Sequence, residues 1–327
     1  MLCALSSLIP CWSHYLSCEM SLICCSRPRT KSFCLSPNHV GTTVVSVVRP
    51  HRADGGKMKL HGKHVVVTGG SRGIGEQIAR QCAARGAKVT VVARNQDALE
   101  RVAQSIAGNA YVADLSDDAT VDGLIEKIET QFGPIDVLVN NAGLETSTPF
   151  AVEDEREIRA VSRVNLEVPM LLTRHVLPQM LARHEGHIVF VSSLAGTAGF
   201  PGMAVYGATK AGILNFVNGL ARELKSTQVN ITTLSPGPVA TDMWQEIEGR
   251  QSSIQKIVKR YKRLQLIPIA DPVKIARRTV DAIEKNKPFV RDPKRLGINF
   301  WLNHAPTRIA NFASWGIKFD PLDAGHK

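Results

Sequence analysis

A tyrosine and a lysine stand four residues apart in "YGATK" (Tyr206 and Lys210), directly after the glycine- and proline-containing run "GTAGFPGMAV". On a helix that spacing sets both side chains on one face. Such a pair is either a surface aromatic beside a solvated charge, or a phenol whose ionised form the ammonium favours, lowering its pKa toward the working range. In the second case the phenol can give a proton to a nascent alkoxide or take one from an alcohol. A second constellation, "VVVTGGSRGIG", spaces Gly69, Gly73 and Gly75 as GxxxGxG between a β-branched run and a helical pattern. Glycines there permit positive φ and let backbone N–H groups approach a pyrophosphate at the positive end of the following helix. Placed between strand and helix, the turn predicts a dinucleotide site.

A cofactor with a free ribose 2′-OH calls for an acid at the end of the second strand, roughly 20 residues on. The chain offers Ala93 and Arg94 instead. A guanidinium pairs with a 2′-phosphate that an acid would repel, and Arg72 inside the glycine turn supplies a second cation. The pattern predicts NADP(H) over NAD(H); the plainer reading of Arg94 is a solvated residue at a helix entry.

These groups need a scaffold, and the hydrophobic pattern supplies one. From residue 63 onward, short β-branched runs alternate with amphipathic stretches, as in a parallel sheet with crossover helices. Strands are expected at "HVVVT", "KVTVVA", "AYVA", "DVLVN", "HIVFV", "NITTLS" and "PFV". Helices are expected near 74–85, 97–106, 118–131, 153–183, 205–225 and 271–286. Strands so uniformly apolar must be covered on both faces, so the expected class is α/β, a doubly wound parallel sheet (Rossmann fold) in a single domain over 58–290. Residues 241–266 follow a strand as a long insertion, a position where substrate lids are found. Residues 1–57 form an N-terminal extension and 291–327 a C-terminal tail.

Composition narrows the partners. The 327 residues are 44% hydrophobic and 21% charged, which excludes a wholly disordered chain or a membrane bundle. The net charge of +11 is uneven: residues 1–57 carry +4, 58–244 carry −2 and 245–327 carry +9. No basic stripe with interleaved aromatics and no reading helix is visible, so no nucleic-acid partner is expected. The basic C-terminal part is either a solvated face or a peripheral contact with anionic lipid. Six of the seven cysteines precede residue 58, leaving only Cys82 in the body, and their spacing matches no zinc pattern. A reduced, cytoplasmic setting suits such a body, and no metal site is expected. Residues 1–57, basic and serine-rich, are read as a targeting segment, a short anchor, or sequence upstream of a start at Met58, the last being preferred.

Several stretches occur in an order that resembles the short-chain dehydrogenase/reductase superfamily. They are "TGGSRGIG" (68–75), "ADLSD" (113–117), "NNAG" (140–143), Asn165 in "RVNLE", "VSSLAG" (191–196), "YGATK" (206–210) and "SPGPVATDM" (235–243). The resemblance covers about 60–245 and neither extension. It implies that Tyr206 is the acid/base, that Ser193 orients the substrate carbonyl while Ser192 is the structural hydroxyl, that Lys210 grips the nicotinamide ribose, and that Asn165 holds a water in a proton relay. It further implies cofactor contacts from Thr68, Gly69, Ser71, Arg72, Gly73, Ile74 and Gly75; from Asp114 and Leu115 beside adenine; from Asn141, Ala142 and Gly143; and from Pro236, Gly237, Val239 and Thr241. The implied activity is hydride exchange between NADP(H) and a carbonyl or secondary alcohol. Leu144, Leu194, Phe200, Met203, Met243 and Trp244 near the expected mouth favour a lipophilic compound such as a steroid or fatty-chain ketone. The small residues Ala208, Gly212, Asn215 and Gly219, together with the resemblance, favour a dimer or tetramer. A non-catalytic NADP(H)-binding sensor or scaffold is the alternative, against which the intact Ser, Tyr, Lys and Asn set argues.

Overall fold

The computed structural model describes residues 57–249 and 268–292, with the side chains of 246–249 left out. All of them fall within one compact unit, residues 51–327. The expectations for the extension before 57, most of the lid and the tail beyond 292 lie outside the described residues. No described helix is long and apolar enough to cross a membrane.

Seven strands build the sheet: β1 His64–Thr68, β2 Lys88–Ala93, β3 Asn109–Val112, β4 Val137–Asn140, β5 Gly186–Val191, β6 Val229–Pro236 and β7 Phe289–Asp292. They lie in the order β3-β2-β1-β4-β5-β6-β7, and every pairing is parallel. Parallel neighbours need crossovers, which the described helices provide: α1 Gly73–Ala83, α2 Gln96–Ser105, α3 Asp118–Val121, α4 Leu124–Phe132, α5 Glu155–Ser162, α6 Val168–Ala182, α7 Ala204–Glu223, α8 Asp242–Gly249 and α9 Pro272–Glu284.

Period-two alternation sorts the strand side chains into two cores. Val65, Val67, Val89, Val91, Val137, Val139, Val189 and Leu234 pack with α1, α2 and α9 on one face. Val66, Val92, Leu138, Ile188 and Phe190 pack with α4, α6 and α7 on the other. A strand with both faces covered must be apolar throughout, and β1 is buried at all five positions. Met58 and Leu60 close the first core, so the described chain joins the fold from its first residues.

Two expected helices are broken. Gly123, at φ +69, interrupts the 118–131 stretch between α3 and α4. The 153–183 stretch carries a π turn over Arg163–Glu167 between α5 and α6, with Asn165 at its centre. Elsewhere the ends follow local chemistry: Asn95 caps α2 by accepting from the Ala98 amide at 2.8 Å, and Asp271 caps α9 through the Val273 amide at 2.9 Å. α1 is the exception that matters, because Arg72 precedes it without any side-chain cap.

Candidate active site

Strand order reverses between β1 and β4, since β2 and β3 lie to one side and β4 to β7 to the other. At such a switch point the connecting loops diverge and leave a crevice beyond the carboxyl ends of the strands. A cavity of about 590 Å³ occupies that place. It reaches from residues after β2 and β3 (Arg94, Asp114, Leu115) across the β1 turn to residues after β5 and β6 (Ser193, Tyr206, Pro236, Gly237). Three strand spacings separate β2 from β5, about 14 Å.

The glycine turn is shaped by its neighbours. Gly69 has φ +65 and Gly73 φ +60, in the left-handed region where a side chain strains the backbone. Gly75 is required by packing: a Cβ there would lie 2.3 Å from the Asn141 Nδ2 and 2.3 Å from the Gly69 carbonyl oxygen. The turn is tied to β4 from beneath. Thr68 Oγ1 donates to the Val139 carbonyl at 3.1 Å and accepts from the amides of Asn141 and Ala142 at 3.0 and 3.1 Å. Asn141 Nδ2 donates to the carbonyls of Thr68 and Gly69 at 2.9 and 3.1 Å. Thr68 and Gly75 therefore shape the turn from behind the cavity wall, and Asn141, although it reaches the cavity, commits its amide donor to the turn. The tight glycine turn and the uncapped start of α1 beside it fit a nucleotide pyrophosphate.

At the β2 end the charges are exposed. The Arg94 side chain is 61% exposed, with its guanidinium 3.8 Å from Asp114. Arg72 stands 3.6 Å from Asp242 at the start of α8, across the cavity mouth. Burial alone would raise the Asp114 carboxyl, but the hydroxyl and amide of Ser116 and the charge of Arg94 outweigh it and hold the group below its usual range. Arg101, together with Asn95 and Ala98, also lines this end, and sequence reasoning missed it. Its position on α2 three residues beyond Ala98, on the same face of the helix that follows Arg94, was the available signal.

The β5 end holds the buried Lys210 and Ser192. Ser193 leaves β5 as the residue before a short turn of 3-10 helix, Leu194–Gly196, and its Oγ accepts from the Ala195 amide at 3.1 Å. Ser193 and Tyr206 both line the cavity. Ser192 faces the other way, buried, and donates to the Lys210 carbonyl at 2.8 Å. A Cβ on Gly196 would lie 2.8 Å from that same carbonyl, so this turn can meet α7 only as glycine. Phe190 on β5 and Phe216 on α7 stack edge to face with centroids 5.8 Å apart, fixing the helix on the sheet.

Tyr206 and Lys210 do share a face of α7, the ammonium lying 5.7 Å from the centroid of the phenol ring. The expected lowering of the phenol pKa is corrected by the structure. Burial pushes Tyr206 up to about 12; the Ser193 hydroxyl offsets part of this, and the charge of Glu145 adds to it. Lys210 spends a hydrogen bond on the Val191 carbonyl at 2.9 Å, and burial brings it down to about 8. A buried charge is itself disfavoured, so the ammonium has less to give the phenolate than its spacing implies.

Asn165 is fully engaged. It lies behind the wall, 1% exposed, with both ends of its amide engaged: Oδ1 accepts from the Leu144 amide and Nδ2 donates to the Leu144 carbonyl, each at 2.8 Å, with Thr209 Oγ1 at 3.2 Å. Its side chain braces the segment after "NNAG". The remaining expected residues, Ser71, Arg72, Gly73, Ile74, Ala142, Gly143, Val239 and Thr241, line the cavity. So do the apolar six, Leu144, Leu194, Phe200, Met203, Met243 and Trp244. Glu145 lines it as well, an acid not singled out from the sequence although it follows "NNAGL" directly.

The family model for short chain dehydrogenases matches residues 63–252. The chain is 34% identical over 196 residues to the 3-oxoacyl-[acyl-carrier-protein] reductase FabG of Escherichia coli (strain K12), covering 59% of this chain and 80% of that one. It is 34% identical over 254 residues to the 11-beta-hydroxysteroid dehydrogenase-like 4A of Arabidopsis thaliana, covering 75% and 81% respectively. The fold superposes with TM-score 0.66, at 23% identity and over 81% of this chain and 98% of the other, on a short-chain dehydrogenase from Sphingobium yanoikuyae in complex with NADPH. This chain belongs to the short-chain dehydrogenase family, and is an oxidoreductase of a family that binds a nicotinamide cofactor.

Proposed function

We propose that the protein reduces a lipophilic carbonyl compound, or oxidises the corresponding secondary alcohol, with NADP(H). The observation that carries this reading is that one cavity is lined by Ser193, Tyr206 and Lys210 at one end and by Arg94 and Arg72 at the other. The NADPH bound in the Sphingobium structure and the reductase name of the Escherichia relative support it.

Reduced nicotinamide supplies the hydride. The chain supplies placement and the proton. A carbonyl oxygen set between Ser193 Oγ and Tyr206 Oη accepts from both, and the tyrosine proton passes to the oxygen as charge develops there. With its pKa near 12 the phenol is protonated at neutral pH, the form that reduction uses. Oxidation of the alcohol needs the phenolate, so its rate is expected to climb with pH while reduction holds at neutrality. Arg94 and Arg72, and Arg101 beside them, are the groups for a 2′-phosphate, their guanidinium forks matching its oxygens. The six apolar residues at the β5 end bind the chain or ring of the substrate.

The small-residue stripe on α7 supports pairing with a second copy: Ala208, Asn215 and Gly219 face solvent, while Gly212 packs on Leu166. Light scattering of the purified protein tests that point. Function is tested by following absorbance at 340 nm with NADPH and a ketone panel. Turnover that Tyr206→Phe abolishes without loss of cofactor binding supports the reading; cofactor binding with no turnover of any carbonyl in the parent protein returns the sensor alternative.

A further inference from the structure

Arg72 is the cation of the glycine turn, and an acid is already set beside it. Its Nη1 lies 3.6 Å from Asp242 Oδ2, and both residues line the cavity. The main chain holds that acid in place. Ahead of it Val239 and Ala270 bridge in parallel, the Ala240 amide donates to the Ala270 carbonyl at 3.0 Å, and the Ala270 amide donates to the Pro238 carbonyl at 2.9 Å. Thr241 then packs on the turn itself, its Cγ2 being 3.3 Å from where a Cβ on Gly73 would stand. Behind it, the amides of Trp244 and Gln245 donate to the Thr241 carbonyl at 3.0 and 3.1 Å and begin α8. Asp242 is therefore delivered to Arg72 by backbone bonds and by packing, and not by the ion pair alone. The two side chains are 62% and 63% exposed, so the pair itself is weak enough to open. Asp114, beside Arg94, is held differently: the Ser116 hydroxyl and amide grip its Oδ1 at 2.7 and 2.9 Å, so it keeps its station whatever Arg94 does.

We propose that Asp242 is a determinant of cofactor choice that acts against the arginines: it competes with the 2′-phosphate for Arg72, and so holds the preference for NADP(H) over NAD(H) below what the guanidinium groups alone would give. This rests on the reading of Arg72 and Arg94 as the groups for a 2′-phosphate. A cofactor with a free 2′-OH leaves the pair as it is. One with a 2′-phosphate has to draw Arg72 away from a carboxylate, which for an exposed pair weakens binding by about two- to fivefold.

Titration of the full-length protein with cofactor, followed by fluorescence and calorimetry at low ionic strength where exposed pairs are least screened, reads the effect without turnover. Asp242→Asn should tighten NADPH by about two- to fivefold and leave NADH within about 1.5-fold, widening the ratio of the two Kd values accordingly. The fragments 2′,5′-ADP and 5′-AMP, which differ by the 2′-phosphate alone, should show the same contrast. In the Arg72→Gln background, Asp242→Asn should change the NADPH Kd by less than about 1.5-fold, because the group competed for is gone. Glu100→Gln removes an exposed carboxylate of α2 that does not line the cavity, and should leave the ratio at the parent value. A parent preference for NADPH with an unchanged ratio in Asp242→Asn, an undiminished effect in the Arg72→Gln background, or an equal gain from Glu100→Gln overturns the assignment and leaves the cofactor reading standing. A parent that binds NADH as tightly as NADPH brings down the cofactor reading, and this assignment with it.

Discussion

The two ends of the cavity solve opposite problems. At the β2 end the cavity is lined by the glycine turn and by exposed guanidinium groups on flexible stems, the proposed nucleotide side. At the β5 end Lys210 is buried and tied by a hydrogen bond to β5, with Tyr206 half-buried on the same helix. Exposed charges contribute little to stability and can be exchanged at little cost to the fold. Buried ones are costly to hold and fixed in place, which is what proton transfer needs. Cofactor choice and chemistry are thus built from materials of different price, and substitution should separate them.

The largest effect is expected at the buried end. Tyr206→Phe removes the proton and one hydrogen bond to the substrate, and kcat should fall about 10²- to 10⁴-fold while the affinity for cofactor, read by fluorescence titration, stays within about threefold. At the exposed end, Arg94→Asp should reverse the preference between NADPH and NADH, changing the ratio of kcat/KM values by about 10- to 100-fold, with unfolding free energy altered by less than about 0.5 kcal/mol. A reversed preference accompanied by a large loss of stability would break the contrast between the two ends. Gly75→Ala, which forces a methyl into the Asn141 amide and the Gly69 carbonyl, should cost about 1–3 kcal/mol and weaken cofactor binding with it.

Lys210 sharpens the comparison through pH. Its folded pKa of about 8 lies below the ordinary value of 10.5, so below pH 8 the folded state carries a charge it would rather shed. That penalty, at most about 3 kcal/mol, is full below pH 8 and fades as pH rises toward 10.5, because there the unfolded chain binds the extra proton. The Val191 hydrogen bond returns part of it. Lys210→Met should therefore unfold at a slightly higher temperature than the parent at pH 7, by about 1 kcal/mol of stability, and this advantage should vanish near pH 10. A lower melting point at pH 7 would mean that the hydrogen bond outweighs the buried charge.

Much of this was legible in the residues. "HVVVT" and "KVTVVA" are β-branched and uniformly apolar because their strands are covered on both faces, and the all-parallel sheet follows from their alternation with helices. The cavity lining was legible wherever a motif marks the end of a strand. What escaped was set by contacts distant in sequence. The π turn at Asn165 coincides with an amide engaged by Leu144, 21 residues earlier, and no helical periodicity foretells that. Gly123 was readable as helical because its positive φ becomes visible only in the folded chain. The phenol pKa escaped for another reason: the spacing of Lys210 shows a neighbouring charge, but burial, which outweighs it, has no local signature.

Ser192 and Gly196 both press on one backbone carbonyl, that of Lys210. The loop bearing Ser193 and the helix bearing Tyr206 are in that way welded into a single rigid part. The walls around that part can be rebuilt for compounds of other shapes, by exchanging residues such as Met203 or Met243, while the distance between the two hydroxyls stays as it is. Changes in what is reduced need not disturb how it is reduced.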